Sequence, residues 1–567
     1  MKTLLKGGTL VNVFTGETEK ANILIEDEII IGVGQYDDAE ADITENVEGK
    51  YLCPGFIDGH IHIESTMLTP AELTKMCVPH GTTAIIADPH EIANVCGTDG
   101  IRYMLEASEG LPLHVYIALP SCVPATPFDE SGANLSAKEL QPLYQNARVV
   151  GLAEMMNYPG VLFRNEDVMQ KIADARKSGK VVDGHAPSLS AKNLDKYIAA
   201  GIQSDHECST AEEAIEKIRK GQWVMIREGT AARNLKELLP LFDAPYNHRC
   251  LLVTDDRHPA DIDGEGHIDH IVRLAVQNGK SAITAIQMAT IQAAQCFGLS
   301  YVGAIAPAYR ADILVLNDLD TVDVCDVYAS GVKVVDCKQI CDFPSPKVDK
   351  KLLEAVKNSF HIEPLKPSDF HIAEMGKACR AIRVIPGQLV TEAQICDIQW
   401  DKNNGIDTER DILKLAVLER HKNTGHKGLG FITGVGLKKG AIASSVSHDS
   451  HNLIVIGTND EDMAIAANRI CQTGGNVVVT DGKVIAEMKL PIAGLMTEES
   501  GKKIAAENEA VRHAVDTLGV SDGIEPFMNM AFVSLPVIPS IKMTTQGLVD
   551  VDKQERISLY CDEADEK

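Results

Sequence analysis

Eight short apolar runs alternate with helix-like stretches through the first half of this chain, and that alternation constrains its fold more than any other feature. The runs end near Ile61, Ala87, Ala118, Ala153, Asp183, Ser204, Ile226 and Thr254. Helical patterns fill the gaps, over residues 70–80, 100–110, 137–146, 165–178, 190–200, 210–220 and 231–242. Two more, 267–278 and 281–297, follow the last run. Strands joined through helices pair in parallel, because the crossover consumes a dozen or more residues. Eight such units predict an α/β fold, a (β/α)8 TIM-like barrel over residues 56–299.

Reactive groups of such a barrel sit at the C-terminal ends of its strands. Six metal-binding side chains fall there: His60, His62, Glu154, His185, His206 and Asp255. Alternate residues of a strand share a face, so His60 and His62 can serve one ion. A lone histidine is ordinarily a hydrogen-bonded structural group. Six metal-binding groups on five strand ends are poorly explained that way. Two histidines, a carboxylate, two single histidines and a final aspartate are the donor set of a two-metal hydrolase.

The chain is 567 residues long, more than one ordinary domain holds. Strand-like segments at 9–13, 21–25 and 29–33 match others at 311–316 and 331–335. Residues 1–55 and 300–345 are therefore expected to form one small β-sandwich flanking the barrel. Pro344 and Pro346 mark a linker, and residues 350–567 read as a C-terminal α+β domain. That domain mixes strands at 453–456 and 476–479 with helices at 460–471 and 502–518.

No apolar run is long enough to span a membrane, and the first residues lack a signal-peptide core. Fourteen cysteines without a CxxC pair suggest reduced thiols and a cytoplasmic location. The net charge of −27 repels phosphate backbones and anionic lipid, so neither nucleic acid nor membrane is an expected partner. A short acidic run, 561–567, reads as solvated.

Pro54-Gly55-Phe56-Ile57-Asp58-Gly59-His60-Ile61-His62 resembles the strand-one signature of the amidohydrolase superfamily. Further motifs narrow the resemblance: Ile63-Glu64-Ser65-Thr66, Ala87-Asp88-Pro89-His90-Glu91-Ile92-Ala93-Asn94 and Gly151-Leu152-Ala153-Glu154-Met155-Met156. With Asp183-Gly184-His185-Ala186-Pro187, Ser204-Asp205-His206-Glu207 and Thr254-Asp255-Asp256-Arg257-His258-Pro259, they are similar to the adenine deaminase family. Ser445-Val446-Ser447-His448-Asp449-Ser450-His451-Asn452 carries the likeness into the last domain, so it spans essentially the whole chain.

This resemblance implies hydrolytic deamination of adenine to hypoxanthine and ammonia, in purine salvage or adenine catabolism. It implies two divalent metal ions per subunit, Mn2+ first, with Fe2+ or Zn2+ also suited to these ligands. It also implies a homo-oligomer, taken as a dimer. His60, His62 and Asp255 would hold one ion, His185 and His206 the other, and Glu154 would bridge them. Many two-metal relatives carry a carboxylated lysine where this chain has Glu154. The lack of cysteine ligands separates the site from the zinc centre of the small nucleobase deaminases.

A divalent ion lowers the pKa of water toward neutrality, which the poorly electrophilic adenine C6 requires. Asp255 is expected to take the proton from the attacking hydroxide. A second acid must protonate the purine ring and then the leaving amino group. Asp88, His90, Glu91 and Asp256 are the candidates, Glu91 first; its structural alternative is a helix-start carboxylate after Pro89. Asp88 and His90 can instead hold an extra metal or orient ligands. Of the neighbours Asp255 and Asp256, only one can face the metals squarely.

Glu64, Ser65 and Thr66 are candidates for contact with adenine, or a plain loop or cap. Arg227 and Glu228 are candidates for substrate binding, or pair on the rim. His448, Asp449 and His451 either close over the barrel mouth or form a structural turn. Trp223 and Trp400 read as packing anchors. Two rival functions remain. A cyclic-amide hydrolase of the same superfamily is opposed by Glu154 in place of lysine. A non-catalytic nucleobase-binding relative is opposed by the intact set of six ligands.

Overall fold

The computed structural model describes residues 1–230, 232–401 and 403–561. The acidic residues 562–567 and the expected helix start at Ala231 lie outside the described residues. The chain divides into two compact units. The first holds Met1–Pro89, Met104–Ser121 and Ser136–Val348; the second holds His90–Tyr103, Cys122–Leu135 and Asp349–Lys567.

In the first unit the eight apolar runs are strands. They are β1 (Phe56–Ile61), β2 (Thr82–Ala87), β3 (His114–Leu119), β4 (Val149–Met155), β5 (Val181–Gly184), β6 (Ser204–Asp205), β7 (Trp223–Arg227) and β8 (Cys250–Val253). Strands β1 to β5 form one parallel sheet in chain order, and β6 to β8 form a second. β5 lies beside β6. At the other edge a parallel bridge joins Ile61 to Asp255, just past β8. There the Asp255 N–H donates to the His60 carbonyl at 2.9 Å. Every residue of β1, β2, β4 and β8 is buried, as parallel strands are when both faces are covered.

Helices Pro70–Cys77, Glu166–Lys177, Ala191–Ala200, Ala211–Arg219 and Ile268–Gln277 follow the helical periodicity. Four stretches differ from it, one of them 281–297, which forms two helices, Ala282–Met288 and Ile291–Cys296. The helix expected over 100–110 starts earlier, as His90–Ala107, with Gly97 breaking its helical geometry at φ +60°. Residues 137–146 make one α turn, Ala137–Leu140, and then tighten into a 3-10 turn at Gln141–Gln145. Leu235–Leu238 likewise passes into a 3-10 turn at Leu239–Phe242. Pro142 and Pro240 explain both changes, since each removes a backbone donor that a continuing α-helix needs.

Strands before and after the barrel segment join in one nine-stranded sheet. Its junction is the antiparallel ladder between Tyr51–Pro54 and Ile313–Leu316. Leu5, Leu10, Ile23, Ile25, Leu52, Ile313 and Val315 pack its core. Trp223 is buried, with the Arg249 guanidinium 4.3 Å above its ring.

The second unit is built on an eight-stranded sheet whose edge strands are Thr391–Asp397 and Lys483–Met488. Helix Asp460–Thr473 packs Met463, Ala466, Ala467 and Ile470 against Ala416, Val455 and Val477 of that sheet. The Asn459 side chain caps the helix, accepting the Asp462 N–H at 2.7 Å. Trp400 packs edge-on to Phe431 and donates to the Gly376 carbonyl at 2.7 Å. No helix among the described residues is long and apolar enough to cross a membrane.

Two motif glycines are explained by close approach. A Cβ on Gly59 would stand 2.4 Å from Leu251 Cδ1 of β8. One on Gly184 would stand 2.3 Å from the Ser204 carbonyl oxygen, which belongs to backbone and cannot swing away. Gly184→Ala is therefore expected to cost at least about 1–3 kcal/mol. Gly264→Ala, which meets nothing within 4 Å, is expected to stabilise by about 0.4–1 kcal/mol. Urea unfolding of the two variants measures both; equal stabilities would refute the close approach at Gly184.

Candidate metal centre and active site

His60 and His62, alternate residues at the end of β1, bring their Nε2 atoms within 3.2 Å of each other. The opposite ring nitrogens explain that arrangement. His60 Nδ1 lies 3.2 Å from Asp183 Oδ2, and His62 Nδ1 lies 3.1 Å from the Asp88 carbonyl oxygen. Both partners accept, so each Nδ1 is placed to donate, and each Nε2 is the nitrogen whose lone pair a metal ion would take. Two converging lone pairs repel unless a cation lies between them. The donor set therefore fits a metal ion, with Asp183 and the Asp88 carbonyl orienting its imidazoles.

The carboxylates complete this set. Asp255 Oδ1 is 3.1 Å from His62 Nε2 and 3.8 Å from His60 Nε2. Glu154, near the end of β4, places Oε1 3.4 Å from His62 Nε2 and 4.0 Å from His60 Nε2. Its Oε2 is 2.6 Å from His185 Nδ1 and 3.3 Å from His206 Nε2. One carboxylate thus offers one oxygen to each histidine pair. Burial opposes its charge, yet His185 and then His206 hold the Glu154 carboxyl well below the usual range.

Glu207 joins the second pair, with Oε1 3.3 Å from His206 Nε2 and 3.7 Å from His185 Nδ1. No role was expected for it, since the residue after a strand ligand ordinarily faces away. But β6 is only two residues long, and strand alternation ends with Asp205. Arg227 binds Glu207 and Asp255 together through Nη1, an interior tie rather than a rim contact. Burial would raise the Asp255 carboxyl, but the Arg227 charge and the His62 hydrogen bond hold it well below its ordinary value.

The backbone chooses between the two neighbouring aspartates. Asp255 sits at φ +58°, a left-handed conformation that costs a non-glycine residue about 1–3 kcal/mol. It aims at the histidines, while Asp256 accepts from Ser65 Oγ at 2.5 Å. Asp58 ties β1 to the end of β8 by accepting from the Thr254 N–H at 3.1 Å and from the His60 N–H at 3.2 Å. Burial pushes the Asp58 carboxyl up to about 7. Tyr197 accepts the His185 N–H at 3.0 Å and donates to the Met155 carbonyl at 2.9 Å, bracing His185 against β4. Glu64, Ser65 and Thr66 form a buried 3-10 turn.

Other expected site residues gather within the second unit. Glu91 Oε1 is 3.3 Å from His448 Nδ1, and its Oε2 is 3.6 Å from His451 Nε2. His451 Nδ1 accepts the Ser447 N–H at 3.2 Å. Burial holds its pKa well below 6.5, so the ring is neutral and its proton sits on Nε2, toward Glu91. His448 stacks on Phe532 with ring centres 4.5 Å apart. His90 Nε2 lies 3.9 Å from Asp449 Oδ1.

Residues 51–335 match the Amidohydrolase family, and residues 388–555 match the Adenine deaminase C-terminal domain. Adenine deaminase 2 of Carboxydothermus hydrogenoformans is 47% identical over 97% of this chain and 95% of its own length. The adenine deaminase of Desulfatibacillum aliphaticivorans is 44% identical over 98% of this chain and 97% of its own. This chain belongs to the adenine deaminase family of the amidohydrolases. A dihydropyrimidinase crystal structure from Brevibacillus agri is also similar, with TM-score 0.48 and 17% identity over 60% of this chain and 96% of its own. Amidohydrolases use divalent metal ions, and the buried histidine–carboxylate clusters of this family member suit them.

Asp183→Asn replaces the charged acceptor that orients His60. Metal affinity is expected to fall about 10–100-fold, as for other partners of metal-bound histidines. Chelator competition on the apoprotein measures it; wild-type affinity would show that Asp183 does not orient the ligand.

Proposed function

We propose that this chain hydrolyses adenine to hypoxanthine and ammonia, as the names of its full-length relatives indicate. The observation that carries the reading is Glu154, with one carboxylate oxygen toward each histidine pair. On this reading His60, His62 and Asp255 would hold one ion, His185 and His206 the other, and Glu154 would serve both. Manganese is the first choice, with iron or zinc suited to the same ligands. Divalent ions held there supply Lewis acidity and make water nucleophilic near neutral pH.

The chain's own groups then manage the protons. Asp255 presents Oδ1 beside the first histidine pair while Arg227 ties its Oδ2, and it is proposed to accept the proton of the attacking water. Water adds at C6, the amino group leaves as ammonia once protonated, and C6 becomes the carbonyl of hypoxanthine. Glu91 is proposed to deliver protons to the purine, with Asp256 as the alternative, and Asp88 and His90 are proposed to orient ligands or to hold an extra metal ion. Glu64, Ser65, Arg227, His448, Asp449 and His451 are proposed substrate contacts.

The same reading includes a closed (β/α)8 barrel over residues 56–299. It adds a flanking β-sandwich from 1–55 and 300–345 and an α+β domain over 350–567. It also includes a cytoplasmic homodimer with neither nucleic acid nor membrane as partner.

The test is turnover by protein stripped of metal and reloaded with manganese, given adenine beside adenosine and dihydrouracil. Equal amounts of ammonia and hypoxanthine are expected from adenine alone. Opening of dihydrouracil without ammonia would replace this reading with a cyclic-amide hydrolase. Glu91→Gln is expected to lower kcat about 10²–10⁴-fold with metal content unchanged. A variant with full kcat would remove Glu91 from proton delivery.

A further inference from the structure

Lys217 lies on helix Ala211–Arg219 and is fully buried, an unusual place for an ammonium group. Its three donors are all engaged. Nζ donates to the Ala186 carbonyl at 2.9 Å, to Asp205 Oδ2 at 3.0 Å and to Glu213 Oε1 at 2.8 Å. Ala186 follows His185, and Asp205 precedes His206. The same Asp205 side chain accepts the Ala186 N–H at 3.1 Å and the Glu207 N–H at 2.7 Å. Glu213, one helical turn before Lys217, accepts the Ser188 N–H at 2.8 Å and the Ser209 N–H at 3.3 Å. The loops that carry His185 and His206 are therefore stapled to one helix, and to each other, on both sides of His206 and immediately after His185.

Stability alone explains this poorly, because a buried ion pair can commonly be replaced by apolar side chains without loss. What apolar side chains cannot supply is directional ties to the backbone beside each ligand. The first histidine pair is oriented separately, by Asp183, the Asp88 carbonyl and Asp58.

We propose that Glu213 and Lys217 are positioning residues that set the spacing of His185 and His206, and thereby the affinity for the second metal ion but not the first. This rests on the reading that those two histidines hold the second ion.

The experiment titrates manganese into apoprotein, with chelator competition for each affinity and electron paramagnetic resonance for pairing of the ions. In Lys217→Met the first ion is expected to bind as in the wild type. The second is expected to bind about 10–100-fold more weakly. The spectrum of a coupled pair should give way to that of an isolated ion, and excess manganese should restore the pair.

Lys217→Met leaves Asp205 uncompensated, so the Lys217→Met/Asp205→Asn double variant decides if the single one does not fold. Glu213→Gln, at the partly exposed end of the network, is expected to fold in either case and to weaken the second ion in the same direction. Equal weakening of both ions, or two ions at wild-type affinity in the variants, overturns the proposal. A wild-type protein that binds fewer than two ions overturns the underlying site assignment as well.

Discussion

The backbone tie between Ile61 and Asp255 brings the first and eighth strands of the series together, and the rest of the site hangs on it. His60 gives its carbonyl to the Asp255 N–H, so the peptide that orients one ligand also holds the next. The left-handed turn at Asp255 then sends its carboxylate back toward the imidazoles of β1. Such strain persists only where surrounding structure imposes it. Here the imposing structure includes Asp58, which links the backbone of His60 to Thr254 from below.

The second constraint is electrostatic. Glu154, Asp255 and Glu207 come close to four imidazoles in a largely buried region, with Arg227 tying two of the three carboxylates. Removing a carboxylate from water costs several kcal/mol, recovered only through good partners. The converging Nε2 atoms of His60 and His62 have no such partner in each other. Metal binding and the stability of this region are therefore linked, since ions that bind the folded site also stabilise it.

Glu91 has a different environment from the ligand carboxylates. Its two oxygens face two imidazoles of the second unit, one of them fixed as an Nε2–H tautomer by the Ser447 backbone. Although Glu91 and the SHDSHN segment are far apart in sequence, segment 90–103 groups with residues 349–567.

Much of this protein is legible in its sequence, because short-range periodicity encodes which elements form and which residues end them. The apolar runs place the eight strands, and the step of two between His60 and His62 places both on one face. Prolines at 142 and 240, by contrast, shorten helices whose apolar periodicity alone runs on. Tertiary structure decided what depends on residues meeting across the fold. It selected Asp255 over Asp256, brought Glu207 in where a two-residue strand ends alternation, and paired Arg227 inside the site. It also set Asp183 behind His60 and Lys217 beneath the loops of His185 and His206. Each of those choices is a contact between distant segments, and side-chain spacing along one strand or helix carries no record of the partner it will meet.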